Sequence, residues 1–371
     1  MMSTPKTKSP KSPKSPKSPE FPPRYKYTGK ELTGGQGVVY VCRDQQLERL
    51  VAIKVINEAH FQSIREEIIS LRDIASVHLA AIYDAFPTKE RGFAIVQQYV
   101  SGDGLDEWAR SQCQAKVDDI FLKTLFQIAC GIADVHEHGR IHRDIKPHNM
   151  RFDEEGIVKI LDFGLSCLTE PMVLTNCGRG TFGFRAPELY EAGTHVTNAV
   201  DVYSYGATAW FLATNDLPRE LKSVPPRSGA PDFADRVAGI PREIADDINS
   251  SLLMEPQRRP SISAIRDNLK RRLLYGRHRA ELIVRAGERY TLDQPGTHVR
   301  IKASDIGAIT IGYNGLDFFI KDFTGDVFVN NSAVTLSGVL PGSCVLTLGA
   351  PALASRRVFI PFNVSHPEVV L

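Results

Sequence analysis

The segment Ile141-His142-Arg143-Asp144-Ile145-Lys146-Pro147-His148-Asn149 puts a carboxylate, an ammonium and a carboxamide into one short loop, and Leu161-Asp162-Phe163-Gly164 follows after a strand-like run. Asp144 is a lone acid able to take a hydroxyl proton, and Lys146 is a positive charge two residues on. Asn149 and Asp162 are hard oxygen donors of the kind Mg2+ accepts. The set matches phosphoryl transfer, in which a protein positions reactants and neutralises charge but does little covalent chemistry.

A loop of this kind needs elements that hold a nucleotide against it. Leu32-Thr33-Gly34-Gly35-Gln36-Gly37-Val38-Val39-Tyr40 reads as a glycine-rich hairpin. Without side chains at Gly34, Gly35 and Gly37, backbone N–H groups can close on phosphates. In Val51-Ala52-Ile53-Lys54, Ala52 is small enough to face an adenine while Lys54 reaches the α- and β-phosphates. A helix is expected over 61–74, and Glu67 precedes Leu71 and Ile74 at helical spacing, so it can pair with Lys54 while the apolar face packs inward. Glu66 is the competing choice; the phase of Leu71 and Ile74 favours Glu67.

With Ala186-Pro187-Glu188, Asp201-Val202-Tyr203-Ser204-Tyr205-Gly206 and Arg258-Arg259-Pro260 falling in order behind them, these motifs resemble the eukaryotic-type protein kinase family. The resemblance implies an α+β, bilobal fold over 24–274, with a β-rich N-terminal lobe and a helical C-terminal lobe. It implies ATP and Mg2+ as cofactors and protein hydroxyls as acceptors. Asp144 and Lys146 would be catalytic, the first orienting and deprotonating the hydroxyl, the second offsetting γ-phosphate charge; Asn149 and Asp162 would hold the metal. ATP would meet Leu32, Gly34, Gly35, Gly37, Val39, Ala52, Lys54 oriented by Glu67, and the backbone of Gln98 and Val100.

Lys146-Pro147 and Gly180-Thr181-Phe182-Gly183-Phe184 look like the serine/threonine subclass, with Thr181 bracing Asp144 and Lys146. The resemblance also implies a buried Glu188–Arg259 ion pair and an Asp201 that anchors the catalytic loop from a central helix. Arg143, beside the catalytic acid, would dock a phosphate from the segment 162–188. Thr175 is the favoured acceptor there, ahead of Thr181, Ser166 and Thr169. His142 is expected as a packed core histidine, not a base. The rival reading is a pseudokinase scaffold that binds partners without transferring phosphate, against which the retention of Lys54, Asp144, Asn149 and Asp162 argues.

Three positions depart from the family pattern. Leu32 stands where a first glycine is usual. Gln97 lines the back of the adenine slot, where bulky apolar residues are common. Arg151, two past Asn149, replaces an apolar floor and would stack on the base by cation–π contact or turn outward beside Met150.

The remainder of the chain sets these residues in context. With 42% hydrophobic and 24% charged residues and a net charge of +2, the composition is that of a globular protein without an overall nucleic-acid-binding charge. No apolar run is long enough for a membrane span, and no apolar signal region is evident at the N-terminus. Six cysteines without metal-ligand spacing read as free thiols, which makes the cytoplasmic compartment the expectation.

Residues 1–23, whose Ser-Pro-Lys repeats have no apolar side chains to bury, read as a disordered basic arm. A solvated arm open to proline-directed kinases is preferred there to a nucleic-acid contact. Beyond 274, short alternating runs at 297–301, 308–313, 317–320, 326–329, 344–348 and 358–362 predict a small β-sandwich over 275–371. Its Asp326–Asn331 and Val345–Gly349 stretches are similar to the last part of a forkhead-associated domain, without that family's Gly-Arg and Ser-x-x-His phosphothreonine-reading pattern. Phosphopeptide recognition, docking of a partner, dimerisation and a structural role all stay open for it.

Overall fold

The computed structural model describes residues 20–34, 37–57, 74–88, 92–111, 117–161, 183–191, 196–284 and 287–365. The expected helix over 61–74, all but its final residue, and the Ser-Pro-Lys repeats lie outside the described residues.

Strands β1 (Tyr25–Gly34), β2 (Gly37–Asp44), β3 (Arg49–Asn57), β4 (Ile82–Thr88) and β5 (Gly92–Gln98) form an antiparallel sheet in the order β1-β2-β3-β5-β4. Successive side chains of a strand point to opposite faces, and this alternation divides the sheet's labour. Cys42, Val51, Ile53, Ala94 and Val96 make one apolar face, covered by Tyr25 and by the partly buried Phe21, Tyr40 and Phe86. Phe21 meets Tyr40 edge-on at 5.5 Å, so the chain packs on this lobe from just ahead of residue 24. The registers Val39↔Lys54↔Ile95 and Val41↔Ala52↔Gln97 align the other face.

The helical region contains α1 (Leu105–Ser111), α2 (Asp119–Glu137), α3 (Ala199–Thr214), α4 (Arg219–Lys222), α5 (Arg242–Ser251) and α6 (Ile262–Leu274). Asp118 caps α2 by accepting from Phe121 N at 2.9 Å, and Ser261 caps α6 by accepting from Ala264 N at 3.2 Å. Helix α3 is buried around nearly its whole circumference, including Asp201, Tyr203 and Tyr205. A helix with no polar face must be a core element, and one hydrophobic cluster from Ile74 to Leu273 surrounds it. The hairpin of β6 (Met150–Phe152) and β7 (Val158–Ile160) follows directly on the loop that holds Asp144, Lys146 and Asn149. Residues 78–80 attach to it through Ile160 N to His78 O at 2.8 Å and Ala80 N to Ile160 O at 3.0 Å.

After α6 come β8 (Arg279–Ile283), β9 (Arg289–Leu292), β10 (His298–Ala303), β11 (Gly307–Tyr313), β12 (Phe318–Gly325), β13 (Val327–Val329), β14 (Ser332–Ala333), β15 (Cys344–Leu348) and β16 (Val358–Ser365). They form a sheet β14-β13-β15-β16-β8-β9 and a sheet β10-β11-β12. Both sheets contribute to a second hydrophobic cluster, which includes Ile309, Ile311 and Phe318 from one and Leu346, Ile360 and Phe362 from the other. The six expected strands correspond to β10, β11, β12, β13, β15 and β16; β8, β9 and β14 were not anticipated. Asn330 and Asn331, both left-handed (φ 47° and 68°), make the two-residue turn between β13 and β14. At the junction with α6, Gly276 N donates to Gly315 O at 2.7 Å. Gly315 has φ 102°, and a Cβ there would lie 2.3 Å from the Tyr275 ring. Arg277 also pairs with Asp119 at the start of α2.

Candidate active site

The loop 141–149 precedes β6 and is held in an unfavourable conformation. Arg143 has φ 66°, in the left-handed region that costs a non-glycine residue roughly 1–3 kcal/mol. The restraint comes from Asp201, 0% exposed in α3. Its Oδ2 accepts from His142 N at 2.7 Å and its Oδ1 from Arg143 N at 2.7 Å. The expected anchor is therefore present. Sequence reasoning missed its third partner, His136, whose Nε2 lies 2.9 Å from Asp201 Oδ2. His136 belongs to no motif; only its place in the last turn of α2 brings it there. His142 is fully buried, and its Nδ1 accepts from Asp144 N at 3.3 Å, as befits a core histidine.

The loop then delivers the acid. Lys146 Nζ donates to both carboxylate oxygens of Asp144, each at 2.8 Å. Asn149 Nδ2 donates to the Asp144 carbonyl at 2.9 Å and to its Oδ2 at 2.7 Å. With its nitrogen so engaged, Asn149 Oδ1 has no protein partner among the described residues, which leaves an oxygen of the type a hard divalent cation takes. Leu161 N donates to Asn149 O at 2.7 Å, so β7 leads back to the same point. Asp162 follows next in sequence and lies outside the described residues, as do Gly35, Glu67, Ser166, Thr169, Thr175 and Thr181. Burial pushes His148 below the usual imidazole range, while Asp106, 3.9 Å away, works against that shift.

Above the loop, Gly34 and Gly37 pair across the β1–β2 hairpin and Leu32 pairs with Val39. Val39, Ala52 and Lys54 share one face of the sheet, Lys54 only 4% exposed. The linker from β5 holds the slot's open edge. Gln98 N donates to Ala81 O at 2.8 Å, whereas neither the N–H nor the C=O of Val100 has a partner among the described residues. Val100 itself is only 5% exposed. Arg151 donates through Nε and Nη2 to Gly102 O at 3.0 and 2.6 Å, tying the guanidinium to the linker. Met150 is fully buried in the helical core.

Two supports lie further out. Glu188 and Arg259 form the expected buried pair, with Nη1–Oε1 at 2.6 Å and Nη2–Oε2 at 2.9 Å. Arg259 also donates to Leu253 O and Ala199 O, both at 2.8 Å, and lies over the Tyr203 ring. Gly183, at φ 103°, brings the chain so close to α4 that a Cβ would sit 2.6 Å from Leu217 Cδ1 and 3.1 Å from Leu221 O. The arrangement can orient a hydroxyl at Asp144 and hold charge at Lys146 and Lys54.

A family model described as the protein kinase domain matches residues 28–268, more than half of the chain. The chain is 32% identical over 206 residues to "Probable serine/threonine-protein kinase pknA2" of Bifidobacterium longum, covering 53% of this chain and 27% of that protein. It is 32% identical over 197 residues to the serine/threonine-protein kinase PknA of Corynebacterium glutamicum (50% and 42%). It is 31% identical over 198 residues to the serine/threonine-protein kinase PrkC of Bacillus subtilis (51% and 30%). The aligned part thus spans less than half the length of each of these relatives.

Proposed function

This chain belongs to the protein kinase family, and we propose that it transfers the γ-phosphate of ATP to serine and threonine hydroxyls of proteins, its own among them. The observation that carries this reading is the cluster of Asp144, Lys146 and Asn149, in which the acid is oriented by both neighbours. Asp144 takes the hydroxyl proton as its oxygen attacks, and Lys146, released from the carboxylate, offsets charge on the transferring phosphoryl group. Lys54 clamps the α- and β-phosphates, with Glu67 as its orienting partner. Leu32, Gly34, Gly35, Gly37, Val39 and Ala52 line the slot, and Gln98 and Val100 offer backbone groups to adenine. Asn149 and Asp162 would hold Mg2+, which when bound neutralises phosphate charge. Nothing favours the pseudokinase alternative.

Phosphate incorporation from Mg2+–ATP by the purified chain, beside Asp144→Ala, tests the reading. A loss of about 10²–10⁴-fold is expected from removing the base. Equal incorporation by both proteins would end the assignment.

The segment 162–188 is the proposed regulatory element, with a phosphate on Thr175 or Thr181 docking at Arg143. The proposed domains are a basic arm over 1–23, the kinase domain over 24–274 and a β-sandwich over 275–371. Support for the second boundary comes from α6 ending at Leu274 and from the two hydrophobic clusters, which meet between Leu273 and Ala280. The likeness of the last domain to a forkhead-associated fold suits a docking site for a protein partner better than a phosphothreonine reader, because the reading pattern is missing. Among the described residues no helix is long and apolar enough to cross a membrane. Cys42, Cys130 and Cys344 are free thiols, in keeping with the proposed cytoplasmic setting.

A further inference from the structure

We propose that Lys30 and Tyr99 form a strap that ties the β1–β2 hairpin to the linker and so sets the rate at which nucleotide leaves. This rests on the nucleotide-binding reading above and goes beyond it. Neither side chain is placed against the nucleotide; both are positioning residues. Lys30 Nζ donates to Tyr99 Oη at 2.8 Å, across 69 positions of sequence.

Sheet order shows what this bond spans. In β1-β2-β3-β5-β4, β1 lies three strands from β5, whose continuation carries Tyr99. Strands are spaced about 4.8 Å apart, so the two backbones would stand about 14 Å apart in a flat sheet. Twist and two long side chains close that span. Lys30 pairs with Val41, Val41 with Ala52 and Ala52 with Gln97. Directly opposed residues share a face, so Lys30 begins a row on the face that bears Val39, Ala52 and Lys54. Its ammonium meets the linker on that side.

The linker itself is fastened to the helical region just beyond Tyr99. Ser101 Oγ donates to Glu154 Oε1 at 3.1 Å and Phe152 N to Asp103 O at 3.0 Å, beside the two bonds from Arg151 to Gly102 O. A Cβ on Gly102 would lie 2.3 Å from Phe152 O, so linker and β6 are in direct backbone contact. A bond from β1 to Tyr99 is accordingly a bond from the hairpin to the helical lobe. Lifting the hairpin off that lobe must break it. Such opening steps govern product release in many enzymes. Exposed pairs add little to stability, so the strap shows itself in a rate.

Stopped-flow release of a fluorescent ADP from the full chain in Mg2+, chased with excess ADP, tests the strap. Lys30→Met and Tyr99→Phe should each release the probe about threefold faster than wild type, the size of one exposed hydrogen bond. The double variant should also be about threefold faster, because either change removes the same bond. Lys30→Arg keeps a donor and should stay within about 1.5-fold of wild type, a rescue that a general loosening of the fold would not give. Unchanged release in both single variants, single effects that multiply to about ninefold in the double, or an arginine protein as fast as Lys30→Met overturns the inference while leaving nucleotide binding intact. Failure of wild type to bind the probe at all overturns the nucleotide-binding reading and this inference with it.

Discussion

Replacing Asp201 with asparagine tests whether the catalytic loop is held by the bonds described. Asp201 is fully buried and accepts from His142 N, Arg143 N and His136 Nε2 at 2.7–2.9 Å. Asparagine keeps one oxygen and turns the other into an NH2 group, so at least one backbone N–H would face a donor. The loss is one hydrogen bond to a charged acceptor, about 1.5–3 kcal/mol, and one buried unsatisfied donor, about 1–3 kcal/mol more. Taken together the cost is about 3–5 kcal/mol. If the freed group is Arg143 N, the left-handed φ of that residue is no longer enforced and the loop relaxes away from Asp144. Denaturant unfolding followed by the helical signal should show that loss. Steady-state kinetics should show kcat reduced more than about tenfold, with the KM for ATP changed less than about threefold because the slot is built on a separate sheet. Stability within about 1 kcal/mol of wild type, together with an unchanged kcat, would refute the reasoning.

Arg259→Met should lower stability by about 3–5 kcal/mol, because it leaves the Glu188 carboxylate buried without its partner; a loss below about 1 kcal/mol in the same unfolding assay contradicts this. Arg24 donates to both oxygens of Asp44 and, as the largest cause, holds that carboxyl down to about 2. The ion pair therefore stabilises the fold fully above the ordinary carboxylate pKa of about 4 and progressively less as pH falls toward 2. The melting temperature of Asp44→Asn should accordingly lie below wild type at pH 7 and close on it near pH 2.5, and a gap of constant size sinks the argument. Gly183→Ala must adopt φ 103° and press on Leu217 and Leu221, so about 1–3 kcal/mol of destabilisation is expected. A melting curve equal to wild type would show that the approach at Gly183 is not tight.

Where chemistry and covalent proximity coincide, the sequence was informative. Asp144, Lys146 and Asn149 fall within six positions, so their mutual bonds follow from one loop. The β1–β2 hairpin closes between Gly34 and Gly37 for the same local reason. His136 was invisible because its relation to Asp201 spans 65 residues and exists only once α2 packs near α3. Strand β8 follows directly on the charged end of α6 and begins with Arg279, so it reads as a continuation of that polar stretch. Its alternation, with Ala280 and Leu282 inward, is recognisable only beside β16, more than 75 residues away. Strands β9 and β14 have four and two residues, too few for a period-2 pattern to register.

Arg151 shows how a departure from pattern can be absorbed. A guanidinium under an adenine slot would be expected either to stack or to leave, because its five donors need partners. The nearby Gly102 carbonyl supplies an acceptor that both Nε and Nη2 can reach, so the charge is fixed at the linker without a carboxylate. Leu32 pairs with Val39 and Gln97 with Ala52 in the sheet, while Arg151 is tied to the linker at Gly102. None lies among the groups that handle the proton, the metal or the phosphate charge. This division has a physical reason. Contact with a heterocycle is largely non-directional and tolerates exchange of one wall residue for another, whereas a proton acceptor and an oxygen ligand have no apolar substitute.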